Sequence, residues 1–249
     1  MTMLRAALGF FTRLPIGSAP LPPTFRGVIV WLPVVGLIVG ALAACALGLT
    51  ALALPATLCG VIDCLVWVAV TGGLHLDGVA DCGDGLIVEA PPVRRLEIMK
   101  DSRLGTFGGT ALFFVLALKA TALGSLAATL QAGGGWGTFI PVLLSCCLAG
   151  TLARCMVFAA MRVPSARPGG LGEALHEGVT PRHELIALAL GLGICAVNGM
   201  HGLYALAAAL SVAWLLLSAA KKRLGGVTGD VFGCLIEMTE CIVLVVCCV

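Results

Sequence analysis

Three carboxylates are spaced so that they could act together. Asp77, Asp81 and Asp84 stand at i, i+4 and i+7 within the glycine-rich stretch 72–85. If this stretch is helical, all three side chains project from one face. Like charges on one face repel each other, so a cation must offset them. Mg²⁺ typically takes one or two carboxylates together with substrate phosphates. The spacing therefore predicts a magnesium site that acts on a phosphate-containing substrate.

A second acidic set follows a glycine-rich segment near the end of the chain. Asp230 and Glu237 are seven residues apart, and Glu240 lies about ten residues into an apolar run. A carboxylate inside a membrane is costly and is a functional-site hypothesis by default. The alternative is that Glu240 pairs with Arg154 or Lys119, which also lie in apolar runs. Both interpretations of Glu240 stay open at this point.

Basic and hydroxyl-bearing residues lie just after the aspartate stretch. Basic groups, a hydroxyl and exposed backbone N–H groups at a helix start are typical of a phosphate-binding loop. A glycine-rich turn follows them and leads into an apolar run. The candidate substrate-binding residues are His75, Lys100, Asp101, Ser102, Arg103, Arg167 and Thr228.

The composition defines the class of protein that carries these residues. Hydrophobic residues make up 59% of the 249 residues and charged residues 11%, against about 25% charged in a soluble domain. The mean hydropathy is +1.07. These values exclude a soluble globular domain and a disordered chain. The net charge of only +2 argues against a nucleic-acid partner. The twelve cysteines lie mostly in apolar runs and are read as small buried hydrophobic residues.

Long apolar runs predict an all-α, polytopic bundle of about seven transmembrane helices, with six to eight as the range. The whole chain, 1–249, is read as one domain. Its high glycine content permits close helix association and therefore a homo-oligomer. The fifth span is short and forms half of a tight hairpin with the sixth. The predicted spans are 28–50, 56–74, 107–130, 139–162, 185–199, 203–220 and 232–249.

Lysine and arginine alternate between the two sides of these spans. They precede the first span and fill the loops 75–106, 163–184 and 221–231, whereas the other turns carry none. Cytoplasmic loops carry the excess of basic residues. The N-terminus, these loops and the active site are therefore expected at the cytoplasmic face of a plasma or inner membrane.

Carboxylates for a metal and cations for phosphate at one membrane face indicate phosphoryl transfer. The residues alone thus favour a Mg²⁺-dependent membrane transferase that acts on a diphosphate-linked substrate. The rival class is an ion-coupled transporter. In that case Lys119, Arg154, Glu237 and Glu240 would line a path through the membrane.

The motifs resemble those of the cobalamin synthase family and follow its order along nearly the whole chain. One departure is Ser165, which stands where the family usually has Tyr. The aspartate pattern also looks like that of CDP-alcohol phosphatidyltransferases, so a membrane enzyme of that kind with another substrate is a further alternative. The matching segments are 11–15, 72–81 with Asp84 and Gly85, 96–106, 166–167 with 170–172, and 225–230 with Glu237.

The resemblance implies a bacterial or archaeal enzyme of cobalamin (vitamin B12) biosynthesis with Mg²⁺ as cofactor. It would join adenosylcobinamide-GDP to α-ribazole or its 5′-phosphate, giving adenosylcobalamin or its 5′-phosphate and GMP. Asp77, Asp81, Asp84 and Asp230 are the expected metal ligands. Either Asp84 or Glu237 is expected to take the proton of the attacking hydroxyl, and Asp77 and Asp81 complete the expected catalytic set.

Overall fold

The regular structure of the chain is helical. The computed structural model describes residues 2–17, 25, 27–133, 135–167, 169, 173 and 179–249. Within these ranges no strand occurs beyond one isolated bridge, Ser165 with Val227, which confirms the all-α prediction. A short 3₁₀ helix, Ile29–Trp31, precedes α2. The α-helices are α1 (Thr2–Phe11), α2 (Leu32–Thr50), α3 (Ala56–Thr71), α4 (Leu76–Ile87), α5 (Pro92–Ile98), α6 (Thr106–Gly133), α7 (Trp136–Ala160), α8 (Pro181–Val197), α9 (Gly199–Leu224) and α10 (Gly229–Val246).

Four segments of the described chain are long and apolar enough to cross a membrane: Ile29–Thr50, Thr106–Gly133, Trp136–Ala160 and Gly199–Leu224. They match the predicted first, third, fourth and sixth spans. Helices α3 and α4 pass the same test only as a pair, with a bend of 94° between them. The predicted fifth and seventh spans overlap α8 and α10. The chain is thus a helical membrane protein by length and composition, and the number of seven spans stays a prediction.

The aspartate stretch lies on a helix of its own, where the sequence predicted a loop after the second span. Helix α3 ends at Thr71, and the chain turns through Gly72 and Gly73 before α4 begins at Leu76. Both glycines have φ near +66°, a conformation that side-chain-bearing residues rarely adopt. The segment 75–106 is therefore not a loop but contains α4 and α5.

Close packing of the bundle depends on glycine contacts between helices. A Cβ on Gly36 of α2 would lie 2.0 Å from the carbonyl oxygen of Gly150 on α7. A Cβ on Gly60 of α3 would lie 2.2 Å from the carbonyl oxygen of Ala120 on α6. Such close backbone approach replaces the hydrophobic drive that helices lack in lipid. These contacts pair α2 with α7 and α3 with α6.

The predicted tight hairpin between the fifth and sixth spans is present as α8 and α9. Only Asn198 separates the two helices. A Cβ on Gly202 would lie 2.0 Å from the carbonyl oxygen of Cys195. Nine of the twelve cysteines are buried, as expected of small hydrophobic residues.

Candidate active site

Helix α4 carries the three aspartates and is wedged between the start of α10 and the start of α6. A Cβ on Gly78 would lie 2.4 Å from the carbonyl oxygen of Asp230, at the first turn of α10. A Cβ on Gly83 would lie 2.9 Å from the Cα of Gly108, at the first turn of α6. Because Gly78 and Gly83 have no side chains, α4 packs closely against the N-termini of α10 and α6, and its carboxylates lie next to both.

Two arginines fix the C-terminal end of α4. Arg95, which is buried, donates to the carbonyl oxygens of Gly85 at 2.9 Å and Leu86 at 2.8 Å. Arg223 also donates to the carbonyl oxygen of Leu86. Guanidinium groups at this position satisfy carbonyls that the helix itself leaves unpaired and complement its dipole. The helix that presents the aspartates is thus held at its end by cations from α5 and α9.

Of the three aspartates on α4, Asp77 and Asp81 accept no hydrogen bond from the described residues. Both line a cavity of about 390 Å³. Asp77 is exposed and Asp81 is half-buried. Lys100 and Arg103 line the same cavity, so two cations from the following segment face the two carboxylates. Carboxylates and cations thus meet in one cavity, and the binding of a metal and a phosphate there stays a prediction.

Asp84 also lines this cavity, but both of its carboxylate oxygens accept hydrogen bonds from the backbone. One of its oxygens accepts a hydrogen bond from the backbone N–H of Gly105 and the other from that of Gly108, both at 2.8 Å. The carboxylate therefore caps the N-terminus of α6, where orphan N–H groups need acceptors and a negative charge is favourable. These N–H groups, expected to be exposed for phosphate, are occupied by Asp84.

Arg167 is brought next to Asp230 by pairing between two segments distant in sequence. Ala166 N–H donates to the carbonyl oxygen of Val227, and Val227 N–H donates to that of Pro164, each at 2.8 Å. This pairing sets Arg167 beside α10, where its Nη1 lies 3.2 Å from Oδ2 of Asp230. The Arg167 Nη2 donates to the carbonyl oxygen of Leu96 at 2.9 Å.

Only one oxygen of the Asp230 carboxylate, Oδ2, accepts hydrogen bonds from the described residues. Thr228, the N-cap of α10, donates from its hydroxyl to the same Oδ2 at 3.1 Å. Oδ1 accepts no hydrogen bond from the described residues. Burial raises the pKa of Asp230, while the Arg167 guanidinium and the Thr228 hydroxyl offset part of that rise.

The basic segment between α5 and α6 is open to solvent. Lys100, Ser102 and Arg103 are all exposed. The guanidinium of Arg103 contacts Asp101 at 2.5–3.1 Å, and these hydrogen bonds lower the pKa of Asp101 to about 2. An exposed ion pair of this kind contributes little to stability. Arg103 is therefore free to exchange Asp101 for a phosphate.

A second cavity, of about 300 Å³, adjoins the first and shares Asp77, Arg167 and Asp230 with it. Its other lining residues are mostly apolar. They include Phe10 and Phe11 from the end of α1 and Phe232 from α10. The segment that follows Phe11 is tied to the end of α3, because Arg13 N–H donates to the carbonyl oxygen of Val70 at 2.8 Å.

His75, which the sequence placed among the substrate-binding residues, lines this second cavity rather than the first. It immediately precedes α4 and is only 4% exposed. Its Nε2 has no hydrogen-bond partner in the described part of the chain. A buried polar atom without a partner is uncommon and requires an explanation.

Glu237 does not join the aspartates. It is buried on α10, and Lys119 Nζ of α6 lies 2.6 Å from its Oε2. The same Nζ lies 2.6 Å from Oε2 of Glu240, whose other oxygen contacts Arg154 of α7. The ring of Trp67 lies 5.2 Å from Lys119 Nζ. The pairing interpretation of Glu240 is therefore the one the structure supports, and Glu237 shares that network.

Carboxylate oxygens are the ligands that Mg²⁺ prefers, so the donor chemistry of the first cavity fits the expected ion. No group of three or more His, Cys, Asp and Glu side chains within the described ranges is arranged to hold a metal ion. A protein that supplies two carboxylates leaves the remaining positions to water and substrate phosphates. Among the carboxylates of the first cavity, Asp77 and Asp81 are the two in which neither oxygen accepts a hydrogen bond from the described residues.

The aromatic lining of the second cavity escaped the sequence patterns. Phe10 and Phe232 look like ordinary apolar residues and give no periodic signature. Phe11 belongs to the matched segment 11–15, but that match did not indicate a cavity.

Asp63, which lines neither cavity, is an acid inside α3 that the patterns did not single out. It is fully buried, and neither of its carboxylate oxygens has a partner in the described residues. An isolated acid in an apolar run could have marked it. The motif residues 170–172 lie outside the described residues.

Comparison with known proteins identifies the family. The family model of cobalamin-5-phosphate synthase matches residues 3–248. A Pseudomonas paraeruginosa protein named adenosylcobinamide-GDP ribazoletransferase is 40% identical, over 97% of this chain and 96% of its own length. Proteins of the same name from Synechococcus sp. (37% identity, 98% and 95% coverage) and Citrobacter koseri (36% identity, 96% of each chain) are also similar. No solved structure matches the chain. The match to nearly every residue shows that the chain belongs to the cobalamin-5-phosphate synthase family of transferases.

Proposed function

We propose that this protein joins adenosylcobinamide-GDP to α-ribazole, or to α-ribazole 5′-phosphate, in a Mg²⁺-dependent reaction. The products are adenosylcobalamin, or its 5′-phosphate, and GMP. Besides membership of the family, one structural observation supports the proposal. Two carboxylates without hydrogen-bond donors, Asp77 and Asp81, share a cavity with two exposed cations, Lys100 and Arg103. Such a cavity suits a diphosphate bound together with a divalent cation.

Asp77 and Asp81 are the residues that would hold Mg²⁺. The ion, when bound, neutralises charge on the diphosphate and so favours attack by an oxygen nucleophile. Asp84 supports this pair indirectly, because its cap fixes the start of α6 against α4. The sequence-based expectation that Asp84 is itself a ligand remains a prediction, and the test given below separates the two roles.

The bond changes follow from the substrates. The ribose 3′-hydroxyl of α-ribazole attacks the β-phosphorus, which carries the cobinamide, and the bond between that phosphorus and the oxygen of GMP breaks. We assign the hydroxyl proton to Oδ1 of Asp230. This carboxylate lines both cavities, and Arg167 and Thr228 orient it through its other oxygen. A base held by a further group is typical of general base catalysis.

We assign Asp230, which the sequence placed among the metal ligands, as the base in place of the two proton acceptors considered there. Its role as a metal ligand stays a prediction. Asp84 uses both oxygens to cap α6, and Glu237 is buried against Lys119. Lys100 and Arg103 are placed to neutralise charge on the leaving GMP. The charge that develops on the phosphoryl oxygens is stabilised by fixed cations that lie beside it.

The transporter alternative loses its main support. The four charged residues that would line its path, Lys119, Arg154, Glu237 and Glu240, pair with one another instead. None of them lines either cavity of the site. A closed network with balanced charges offers no binding position to a passing ion. A cytoplasmic position of the site follows from the basic loops and belongs to this proposal.

The experiment that tests the proposal is GMP release by the purified protein in detergent. Adenosylcobinamide-GDP is supplied with or without α-ribazole, and with Mg²⁺ or EDTA. We expect GMP only when both α-ribazole and Mg²⁺ are present. GMP release that does not need α-ribazole would indicate hydrolysis, and release that is unaffected by EDTA would contradict the metal requirement. A folded protein that releases no GMP would contradict the proposal as a whole.

A further inference from the structure

The second cavity differs from the first in what it can recognise. It is lined by three phenylalanine rings, Phe10, Phe11 and Phe232, and by aliphatic side chains such as Leu32 and Ile236. Phe11, Phe232, Leu32 and Ile236 are all at most 8% exposed. Its volume of about 300 Å³ is at the lower end of the range for small-molecule pockets, roughly 300 to 1,000 Å³. A single planar ring system fits such a space, and a corrinoid does not.

Few polar groups in this lining are available to a ligand. The Ser165 hydroxyl donates to the carbonyl oxygen of Arg167 at 2.9 Å, and the Thr228 hydroxyl donates to Asp230. The Nε2 atom of His75 has no hydrogen-bond partner among the described residues. Asp77, Arg167 and Asp230 form the charged wall that this cavity shares with the first. Apart from that wall, the imidazole of His75 is the uncommitted polar side chain among the described lining residues. A neutral imidazole offers one donor and one acceptor.

The substrates of the proposed reaction carry two bases, guanine and dimethylbenzimidazole, and the polar groups of the cavity suit them differently. Guanine has polar atoms around most of its edge, and burying them without partners is costly. A dimethylbenzimidazole has a single unsubstituted ring nitrogen, and its two methyl groups are apolar. One uncommitted imidazole beside three phenylalanine rings matches the second base and leaves most of the guanine edge unpaired.

We propose that this cavity binds the benzimidazole base of α-ribazole, between Phe10, Phe11 and Phe232, with His75 as the hydrogen-bond partner of its ring nitrogen. The inference rests on the proposed function and names the position of the second substrate. The wall of Asp77, Arg167 and Asp230 is common to both cavities. A base held on one side of this wall places its ribose beside the diphosphate held on the other.

The test uses the full-length protein in detergent and the variant Phe10→Leu. Phe10 is half-buried, and leucine keeps an apolar side chain while removing the ring. The matched control is Phe113→Leu on α6, because Phe113 is 65% exposed and lies outside both cavities. KM is measured separately for α-ribazole and for adenosylcobinamide-GDP. We expect the KM for α-ribazole to rise roughly tenfold in Phe10→Leu, since aromatic stacking contributes this much to base binding.

The KM for adenosylcobinamide-GDP is expected to stay within about twofold, and the control to match the wild type in both. An unchanged KM for α-ribazole, or an equal rise for both substrates, would overturn the inference. A nucleoside with adenine in place of the benzimidazole gives a second test. Its added polar atoms lack partners in the cavity, so its KM should be at least about tenfold higher, and an equal KM would contradict the assignment.

Equilibrium dialysis of α-ribazole alone keeps this inference separate from the proposed function. Binding that weakens in Phe10→Leu but not in Phe113→Leu supports the cavity assignment even if no GMP is released. Equal binding by both variants and the wild type would overturn the assignment, while GMP release by the wild type would leave the proposed function standing.

Discussion

Carboxylates at helical spacing occur twice in this molecule, and the two groups have different partners. Glu237 and Glu240 of α10 are buried, and the cations Lys119 and Arg154 balance their charge. Asp77 and Asp81 of α4 border an open cavity and accept no hydrogen bond from the described residues. The spacing along the helix is similar in the two groups, so spacing alone does not distinguish them.

The difference lies in how the charge is satisfied. Removing ions from water is costly, and a buried carboxylate is stable only when cations and hydrogen bonds replace that water. Lys119, Arg154, Glu237 and Glu240 form an interior network in which the cations balance the carboxylates. The charges of Asp77 and Asp81 on α4 have no such partners and would be balanced by a bound ion or substrate. We infer that the interior network maintains the helix packing and that the open group performs the chemistry.

The largest expected effect is on turnover, in Asp81→Asn. This change keeps the size of the side chain and removes the charge that would bind Mg²⁺. Metal ions contribute several kcal/mol of transition-state stabilisation, so we expect kcat to fall by at least about 10³-fold with no change in thermal unfolding. GMP release measures the first and a melting curve in detergent the second. Glu89→Gln, an exposed acid at the end of α4, is the control and should retain full activity.

Glu240→Gln should show the opposite pattern. Glu237 still pairs with Lys119 in this variant, but Arg154 loses its carboxylate partner. Breaking a buried ion pair in this way typically costs about 3–5 kcal/mol. We expect a lower unfolding temperature and less folded protein, while the folded fraction retains turnover within a few-fold of the wild type. If Glu240→Gln loses turnover at full stability, the interior network has a catalytic role and the division between the two groups fails.

Asp84→Asn gives a smaller effect and decides between cap and ligand. Asparagine retains one acceptor oxygen, so one of the two N–H groups at the start of α6 loses its partner. Loss of a helix cap costs about 1 kcal/mol, and we expect a small drop in unfolding temperature and a several-fold loss of turnover. A loss of turnover as large as that of Asp81→Asn would show instead that Asp84 is a metal ligand.

Arg103→Gln is expected to have the smallest effect on the unfolding temperature. Its ion pair with Asp101 is exposed, and such pairs contribute little to folding. We expect no measurable shift in unfolding temperature, but a KM for adenosylcobinamide-GDP that rises roughly tenfold through loss of a charge-assisted phosphate contact. A shift in stability without a change in KM would assign Arg103 to the structure rather than to substrate binding.

The sequence predicted what depends on local spacing and composition. The all-α class, four of the spans, the helical hairpin and the common face of the α4 aspartates all follow from periodicity and hydropathy. The bend after α3 was missed, although Gly72 and Gly73 mark it, because the apolar run continues through Leu74.

The sequence could not predict what depends on distant partners. Asp84 meets backbone groups 21 and 24 residues further along the chain, and Lys119 meets carboxylates 118 and 121 residues away. The phenylalanines of the second cavity come from the two ends of the chain. Their side chains are typical of any membrane helix, so only the fold shows that they form one cavity.

The most direct test of the central claim follows the β-phosphorus through the reaction. Adenosylcobinamide-GDP labelled with radioactive phosphorus at the β-position is incubated with α-ribazole, Mg²⁺ and the protein in detergent. We expect the label to appear in the corrinoid product, together with an equal amount of unlabelled GMP. Label that is released as GDP or as inorganic phosphate would contradict attack on that phosphorus by the hydroxyl of α-ribazole.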